Sequence, residues 1–264
     1  MQFFYNADDY GLSKQSTESI NKCIDMGLID AISLMCGGKD ICNAFDVLKN
    51  KYAKSVIITV HLNLFDGKCS AKKEDVSSLS DGGGFFKLNL FKLWYAVNIS
   101  RKKEEIKNQI FIEFCAQIDF FILHFPKMPI RIDGHQHIHA MPALLDVIEK
   151  LINKYQISYV RTPIENNYKF QTSPVKKLKG LFRRYLLKKW GLSLKSLLEK
   201  YKIKTSDYFI GSALSCDMNY EYLDYVYKKI SDKKGLAEIM LHPWSANEFN
   251  LIMSKDFQRL KNCE

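Results

Sequence analysis

Residues 129–139 have the sequence PIRIDGHQHIH, in which a short apolar strand runs into a cluster of polar residues. The strand is predicted over Pro129 to Asp133. Three of the six histidines of the chain follow within five residues, at His135, His137 and His139. If the strand continues, the three imidazoles share one face, whereas a turn at Gly134 would redirect them. Imidazole is the commonest metal ligand and Asp133 is placed to orient one, so we favour a metal site over a histidine-rich surface turn.

The same order, a predicted strand followed by polar side chains, recurs along the chain. The further clusters are Asp8 and Asp9 after Phe3–Tyr5, His61 after Ser55–Val60, Arg161 at the end of Ser158–Arg161, and His242 after Ala237–Leu241. Helical segments alternate with these strands, which is typical of a parallel α/β sheet or barrel. Because the carboxyl ends of parallel strands face the same way, we expect the five clusters to converge on one rim.

The residue types in these clusters suit metal-assisted hydrolysis. Asp8 and Asp9 point in different directions, so one can bind a metal while the other acts as a base; a helix N-cap is an equally favoured interpretation of this pair. Asp9, His61 and His135 together offer one carboxylate and two imidazoles, which suit a divalent metal with open positions. His61 and His242, each taken alone, favour structural roles. His242 is also a candidate general acid.

The composition indicates a globular protein. The chain has 264 residues, of which 47% are hydrophobic and 26% charged, which argues against disorder and allows one large domain. We therefore treat residues 1–264 as one domain. Seven cysteines without a CxxC pair predict reduced thiols. The opening MQFFYNADDYG lacks a signal-peptide pattern, and no apolar run has bilayer length, so we expect a cytoplasmic protein.

The net charge of +10 lies in one segment. From Lys176 to Lys204 there are eleven basic residues and one acid, Glu199, while the remainder has 28 of each sign. A nucleic-acid binder would spread its basic charge more widely, so we expect no nucleic-acid partner. The segment, predicted as a basic helical insertion at about 170–204, has an apolar stripe on each side of Gly191. These stripes are Leu178, Leu181, Phe182, Tyr185, Leu186 and Trp190, then Leu194, Leu197, Leu198 and Tyr201.

Two interpretations of the segment 176–204 remain. The stripes pack on the domain and leave the charges in solvent, which we favour because charge runs are usually solvated faces. Alternatively, the segment makes peripheral contact with the anionic inner face of a membrane.

Several short motifs resemble one known family. They are Asn6–Ser13 (NADDYGLS), His61–Leu64 (HLNL), Asp81–Phe85 (DGGGF), Asp133–His139 (DGHQHIH), Val160–Arg161 and Glu238–Pro243 (EIMLHP). They occur in family order and spacing from residue 2 to about residue 245. On these motifs the chain resembles the YdjC-like carbohydrate deacetylases, which include chitooligosaccharide deacetylases and hopanoid-cluster homologues.

The resemblance implies a distorted (β/α) barrel related to the polysaccharide deacetylases. It also implies metal-dependent removal of an N-acetyl group from an amino sugar, with release of acetate. The positions that resemble the ligands of one divalent ion, Mg²⁺ or Zn²⁺, are Asp9, His61 and His135. Asp8 resembles the general base, and His242 the residue that protonates the leaving amine. Arg161 resembles the family arginine near the site, which we expect to pair with Asp8.

Alternatives remain for both the substrate and the reaction. An anionic acceptor, such as a lipid- or nucleotide-linked amino sugar, would give the basic segment a purpose, and a homo-oligomer is not excluded. One rival function is a metal-dependent hydrolase of a phosphoester or another amide on the same barrel. Another is a non-catalytic protein that binds carbohydrate or a membrane surface. The joint presence of the site residues, Asp8, Asp9, His61, His135 and His242, counts against that rival.

Overall fold

The sheet of this protein is parallel throughout. A computed structural model describes residues 1–262. Within that range seven strands form one sheet: β1 (Gln2–Tyr10), β2 (Ala31–Leu34), β3 (Ile57–Leu62), β4 (Ile130–Gly134), β5 (Ile157–Val160), β6 (Tyr208–Ile210) and β7 (Leu236–Leu241). The strand order is β5-β4-β3-β2-β1-β7-β6, and every neighbouring pair is parallel.

The sheet curls into a half-barrel whose edge strands are β5 and β6. An isolated parallel bridge joins Tyr159 in β5 to Lys204, just before β6. There the N–H of Val160 donates to the carbonyl oxygen of Lys204 at 3.0 Å. The α/β class and the distorted barrel predicted from the sequence are confirmed.

Helices surround the sheet. Within residues 1–262 they are α1 (Lys14–Asp25), α2 (Ile41–Val47), α3 (Leu90–Asn98), α4 (Lys103–His124), α5 (Leu145–Lys154), α6 (Pro174–Lys200), α7 (Tyr220–Ile230), α8 (Ala246–Met253) and α9 (Lys255–Asn262). A π-helical turn, Leu48–Tyr52, extends α2, and 3-10 turns span His135–Ala140 and Pro142–Leu144. Residues 70–88 contain no helix or strand of this set.

Local sequence explains how the first crossover forms. The side chain of Ser13 accepts from the backbone N–H of Ser16, and the Ser16 hydroxyl reaches back to the N–H of Ser13, so the pair forms a capping box at α1. Such a cap stabilises a helix by about 1 kcal/mol. Ile20, Cys23 and Ile24 recur at helical spacing and are buried. Removal of this apolar face from water holds α1 against the sheet.

Two strands extend further than the sequence indicated. β1 was expected to end at Tyr5 but continues to Tyr10, so Asp8 and Asp9 lie within it, and β3 includes His61. The pairing of β1 with β2 shifts register between Ala7 and Tyr10. Pairing resumes at Tyr10, opposite Leu34, so Asp8 and Asp9 lie in an irregularity of the strand, where Asp9 has a φ of 70°.

Helix α6 is continuous through Gly191, the residue that separates the two apolar stripes in the sequence. A Cβ on Gly191 would lie 2.6 Å from Cγ1 of Ile164, and one on Gly180 would lie 2.4 Å from the carbonyl oxygen of Ala213. These two glycines therefore let the helix backbone approach its neighbours closely, and they do not interrupt it.

The two apolar stripes of α6 have different environments. Leu194 and Leu198 in the second stripe are buried, as expected. In the first stripe Trp190 is buried, but Leu178 and Phe182 expose 71% and 66% of their surface. The favoured expectation that both stripes pack on the domain is therefore wrong for the amino-terminal half of the helix.

The cysteines of the described region are reduced. Six are free thiols, and the seventh, Cys263, lies outside the described residues. No helix in residues 1–262 combines the length and the apolar composition needed to cross a bilayer.

Candidate active site

The carboxyl edge of the sheet borders a cavity of about 570 Å³. Five of the six candidate catalytic and metal-binding residues line it, namely Asp8, Asp9, His61, His135 and His242. The sixth, Arg161, is completely buried and meets this set through Asp8. The structure therefore brings together side chains from β1 and β3 and from the segments that follow β4, β5 and β7.

Three of these side chains form a compact donor set. Asp9, His61 and His135 each offer one ligand atom, and these atoms all lie within 4.8 Å of one another. Oδ1 of Asp9 lies 3.3 Å from Nε2 of His61 and 2.9 Å from Nδ1 of His135. One carboxylate and two imidazoles, with the cavity on the open side, fit a divalent cation that keeps positions for water and substrate.

Neighbouring groups orient each member of the donor set. Nδ1 of His61 lies 2.7 Å from Oδ1 of Asp133, which directs Nε2 toward Asp9. Nε2 of His135 lies 3.1 Å from Asp66, and the indole N–H of Trp244 donates to Oδ2 of Asp9 at 2.9 Å. Carboxylate partners of this kind fix the tautomer and ring orientation of metal-binding histidines.

The electrostatic potential of the donor set favours positive charge. Burial alone would lower the pKa of His61, but the charge and hydrogen bond of Asp133, the hydrogen bond to Asp9 and the charge of Asp8 raise that pKa to about 10. The pKa of His135 is also raised: burial opposes protonation, and Asp9 and Asp66 outweigh it. A site that stabilises protons on its imidazoles also attracts a metal cation that replaces them.

A second group, Asp8 with His61 and Asp133, is equally close but unsuited to a cation. Arg161 donates to both oxygens of Asp8 at 2.8 Å and lies 2.9 Å from Oδ2 of Asp133. Its guanidinium already neutralises these carboxylates and would repel a metal ion. The cation site supported by the geometry is therefore the Asp9 set.

Asp8 is held in one orientation and in one charge state. Besides Arg161, its Oδ1 accepts from Nδ2 of Asn6 at 2.7 Å and from the hydroxyl of Ser33 at 3.1 Å. Burial raises the pKa of this carboxyl, but the charge of Arg161 and neighbouring histidines lowers it well below its ordinary value. Ser13 caps helix α1, so the N-cap interpretation of Asp8 and Asp9 is wrong.

Arg161 anchors a buried ion cluster behind Asp8. Its Nε donates to Oε1 of Glu238 at 2.6 Å, and the hydroxyl of Tyr159 donates to Oε2 of the same carboxylate at 2.5 Å. Arg161 therefore joins carboxylates from β1, β4 and β7. Because each of these charges has a partner, the cluster fixes the relative positions of three strands.

His242 lies on the cavity wall beside a buried acid. Its backbone N–H donates to Glu248, and its Nδ1 lies 3.6 Å from Oε2 of that residue. Burial lowers the pKa of this imidazole, but Cys216 and Glu248 raise it well above the ordinary value. The ring is therefore able to carry a proton at neutral pH inside the cavity.

The remaining histidines of the cluster do not share one face. β4 ends at Gly134, and the 3-10 turn that follows holds Gln136 and His137 in the left-handed region, at φ of 52° and 57°. Nε2 of His139 lies 2.9 Å from the carbonyl oxygen of Arg161, away from the donor set. Of the two expectations, the turn at Gly134 is the one observed.

Several residues of this region had no role assigned from the sequence. They are Ser33, Asp66, Trp244 and Glu248, together with Glu238, which was noted only as part of the motif EIMLHP. A signal for Glu238 was available, since a single acid within the apolar strand AEIML is rarely buried without a partner. Asp66 and Trp244 had no such signal, because they lie in irregular segments after β3 and β7.

This chain is similar to one protein family and to several curated proteins. The model of the YdjC family, described as YdjC-like protein, matches residues 3–262. Carbohydrate deacetylases of Xenopus laevis and Brevibacillus brevis are 27% identical over 210 residues and 32% identical over 163 residues. These regions cover 77% and 62% of this chain, and 64% and 60% of those proteins. For a carbohydrate deacetylase of Danio rerio, the match is 27% identical and covers 62% of this chain and 50% of that protein. The chain thus spans about half to two thirds of the curated relatives it matches.

A solved structure shares the fold. It is the crystal structure of a candidate cellobiose-phosphate cleavage protein from Enterococcus faecalis V583, with a TM-score of 0.69 and 20% sequence identity. The match covers 99% of this chain and 94% of that one. At this identity the likeness shows the curled half-barrel and nothing about the reaction.

Proposed function

Because the chain belongs to the YdjC-like protein family, we propose that it is a metal-dependent carbohydrate deacetylase. The substrate is an N-acetylated amino sugar, and hydrolysis of its amide bond releases acetate. The observation that carries the proposal is the Asp9, His61 and His135 donor set, which shares one cavity with Asp8 and His242. The curated relatives named carbohydrate deacetylase support the reaction class.

Asp8 accepts the proton of the attacking water in this proposal. Arg161 keeps its carboxylate ionised, so the base is always in the required form, but a carboxylate with a depressed pKa is a weak base. A divalent ion, Mg²⁺ or Zn²⁺, held by Asp9, His61 and His135 would supply Lewis acidity, which acidifies water and stabilises negative charge on the amide oxygen. Arg161 acts as a positioning residue, since it reaches the cavity only through Asp8.

His242 donates a proton to the amide nitrogen as the carbon–nitrogen bond breaks. Its raised pKa keeps the imidazole protonated before this step, and its place in the cavity lining gives it access to the substrate. Asp8 and His242 thus have opposite charge states at neutral pH, as a base and an acid acting in the same turnover require.

The first test is acetate release from a panel of N-acetylated sugars, with the protein loaded with Mg²⁺ or Zn²⁺ and with or without chelator. The panel contains free oligosaccharides, nucleotide-linked sugars and lipid-linked sugars. Acetate from one member that disappears with chelator is the expected result. Stoichiometric bound metal with no acetate from any member would reject deacetylation.

Two histidine variants separate metal binding from proton donation. His135→Ala should lose both bound metal and activity, because it removes one of three ligands. His242→Asn should retain its metal and lose about 10²–10⁴-fold in kcat, the usual contribution of a general acid. His124→Ala is the matched control, since this histidine lies at the end of α4 and not in the cavity lining. An active, metal-free His135→Ala protein would remove the assigned site.

A further inference from the structure

Helix α6 has two apolar faces, and the fold uses only one of them. The buried face includes Gly180, Leu187, Gly191, Leu194 and Leu198. A second set is exposed, comprising Val175, Leu178, Leu181, Phe182, Tyr185 and Leu192. At 3.6 residues per turn these six fall within roughly 120° of the helix circumference, about opposite the buried face. They form a continuous stripe directed away from the core.

Helix α3 has an unpartnered aromatic face of its own. Phe91, Trp94 and Tyr95 follow i, i+3, i+4 spacing and expose 75%, 44% and 53% of their surface. Ile99, just after the helix, is exposed by 57%. Leu93 and Val97 occupy the buried side, so the exposed residues are not required for packing α3.

Both helices reach the active-site cavity. Leu90, the first residue of α3, lines the cavity, and so do Phe182 and Leu186 of α6. Phe182 belongs both to the exposed stripe and to the cavity lining. The exposed apolar residues named above for α3, Ile99 and α6 together are called the apolar rim. Because Phe182 belongs to both the rim and the cavity lining, a surface that covers the α6 part of the rim also lies against the entrance of the cavity.

The charge of α6 is almost entirely positive, with Glu199 as its one acid. Of the lysines on α6, Lys176 pairs with Asp217 and Lys200 with Glu149. Five others form no ion pair with a described carboxylate: Lys177, Lys179, Lys188, Lys189 and Lys195. Exposed aromatic and aliphatic residues flanked by unpaired lysines are the composition of helices that lie in the interface of an anionic bilayer.

We propose that the apolar rim docks the protein on an anionic lipid bilayer, with the cavity mouth against the membrane surface. The side chains of the rim enter the headgroup region, while the unpaired lysines contact anionic headgroups. The cavity then receives an amino sugar carried on a lipid, whose apolar part lies along Phe182 and Leu186. This substrate class rests on the proposed deacetylation; the docking does not.

Co-sedimentation with vesicles tests the docking without any catalytic readout. Vesicles of phosphatidylcholine alone are compared with vesicles that contain about 30 mol% phosphatidylglycerol, a strongly anionic surface. The protein should bind the anionic vesicles, release as salt is raised, and remain bound in chelator. Absence of binding to anionic vesicles would overturn the proposal.

Charge variants test which surface binds. The triple variant Lys177→Gln, Lys189→Gln and Lys195→Gln should weaken binding about fivefold per lysine removed, roughly a hundredfold in total. Its control is Lys229→Gln, Lys233→Gln and Lys234→Gln, which removes the same charge at the amino end of β7, on the opposite edge of the sheet. The control should stay within about a factor of two, because charges beyond the Debye length are screened. An equal loss of vesicle binding in both triple variants would show that only net charge matters, and would reject the apolar rim as the docking surface.

Apolar variants test insertion of the rim. Trp94→Ser and Leu178→Ser are exposed positions outside the cavity lining, so the fold and hydrolysis of a water-soluble sugar should be unchanged. Together they should weaken vesicle binding at least tenfold and lower acetate release from a lipid-linked sugar in vesicles. Unchanged binding would contradict insertion. A concentration-dependent dimer abolished by these changes, with no vesicle binding, would instead identify the rim as an interface between copies.

The two proposals fail separately. Vesicle binding without acetate release would retain the docking and reject deacetylation. Acetate release from soluble sugars without vesicle binding would retain deacetylation and reject the docking.

Discussion

Two charged clusters lie side by side at the carboxyl edge of the sheet. They differ in whether an arginine neutralises their buried carboxylates. Around Arg161, three buried carboxylates share one guanidinium at distances of 2.6 to 2.9 Å. Around Asp9, one carboxylate faces two imidazoles, and no lysine or arginine in residues 1–262 forms an ion pair with it. The first cluster is complete within the protein. The second borders the cavity and its electrostatic potential attracts an added cation. The first cluster therefore stabilises the fold, whereas the second is suited to binding a metal ion for catalysis.

Removal of Arg161 should give the largest effect. Arg161→Met leaves the carboxylates of Asp8, Asp133 and Glu238 buried without their shared partner. We expect the free energy of unfolding to fall by about 3–5 kcal/mol, the usual cost of breaking a buried ion pair from one side. Urea denaturation followed by circular dichroism measures this. Arg259→Met removes a mostly exposed arginine with a 3.9 Å surface contact and should change stability by less than about 0.5 kcal/mol. Equal losses would show that the buried cluster has no special structural role.

Asp66 offers an intermediate effect confined to the donor set. Asp66→Asn removes the charge that orients His135 from the cavity rim, so affinity for Zn²⁺ or Mg²⁺ should fall about 10–100-fold. The unfolding free energy of the metal-free protein should hardly change, because this side chain is half exposed. Isothermal titration calorimetry measures the affinity, with Glu74→Gln in the following loop as control. A metal affinity equal to that of the control would remove Asp66 from the site.

The pH dependence of stability should reveal a smaller contribution from His139. Burial lowers the pKa of His139 to about 4, against an ordinary value of 6.5. Between these values the unfolded chain binds a proton that the folded protein excludes, so stability falls as pH decreases through this window. From pH 6.5 to pH 5 this group should cost about 1.5 kcal/mol.

The matched variant isolates that contribution. His139→Gln keeps a hydrogen-bond donor for the carbonyl oxygen of Arg161 but cannot titrate. Urea unfolding at both pH values should show a loss smaller by about 1.5 kcal/mol in the variant. The same loss in both proteins would indicate that His139 is not the group responsible.

Strand periodicity was informative about the fold because it depends on local sequence. Buried runs such as Ser55–Val60 and Ala237–Leu241 indicated parallel strands, and polar residues at their ends indicated one functional edge. The predicted positions of the strand ends were less accurate. Pairing with strands distant in sequence extends β1 past Asp8 and Asp9, because Tyr10 lies opposite Leu34.

Helix α6 shows the limit of pattern analysis most plainly. Both of its apolar stripes have helical spacing, yet Leu194 is buried and Leu178 is exposed. The spacing of apolar residues identifies the faces of a helix, but it does not show which face packs against the rest of the protein. The same limit applies to Gly191, which resembles a helix break in sequence but permits close packing against Ile164.

By itself the sequence determined the alternation of strands and helices, the five polar clusters and the concentration of positive charge. Those features follow from local composition and from the common direction of parallel strands. Only the tertiary structure decided which carboxylate Arg161 neutralises, which histidines face Asp9, and that the apolar rim borders the cavity. These depend on side chains far apart in the chain, whose distances are set by packing of the whole barrel.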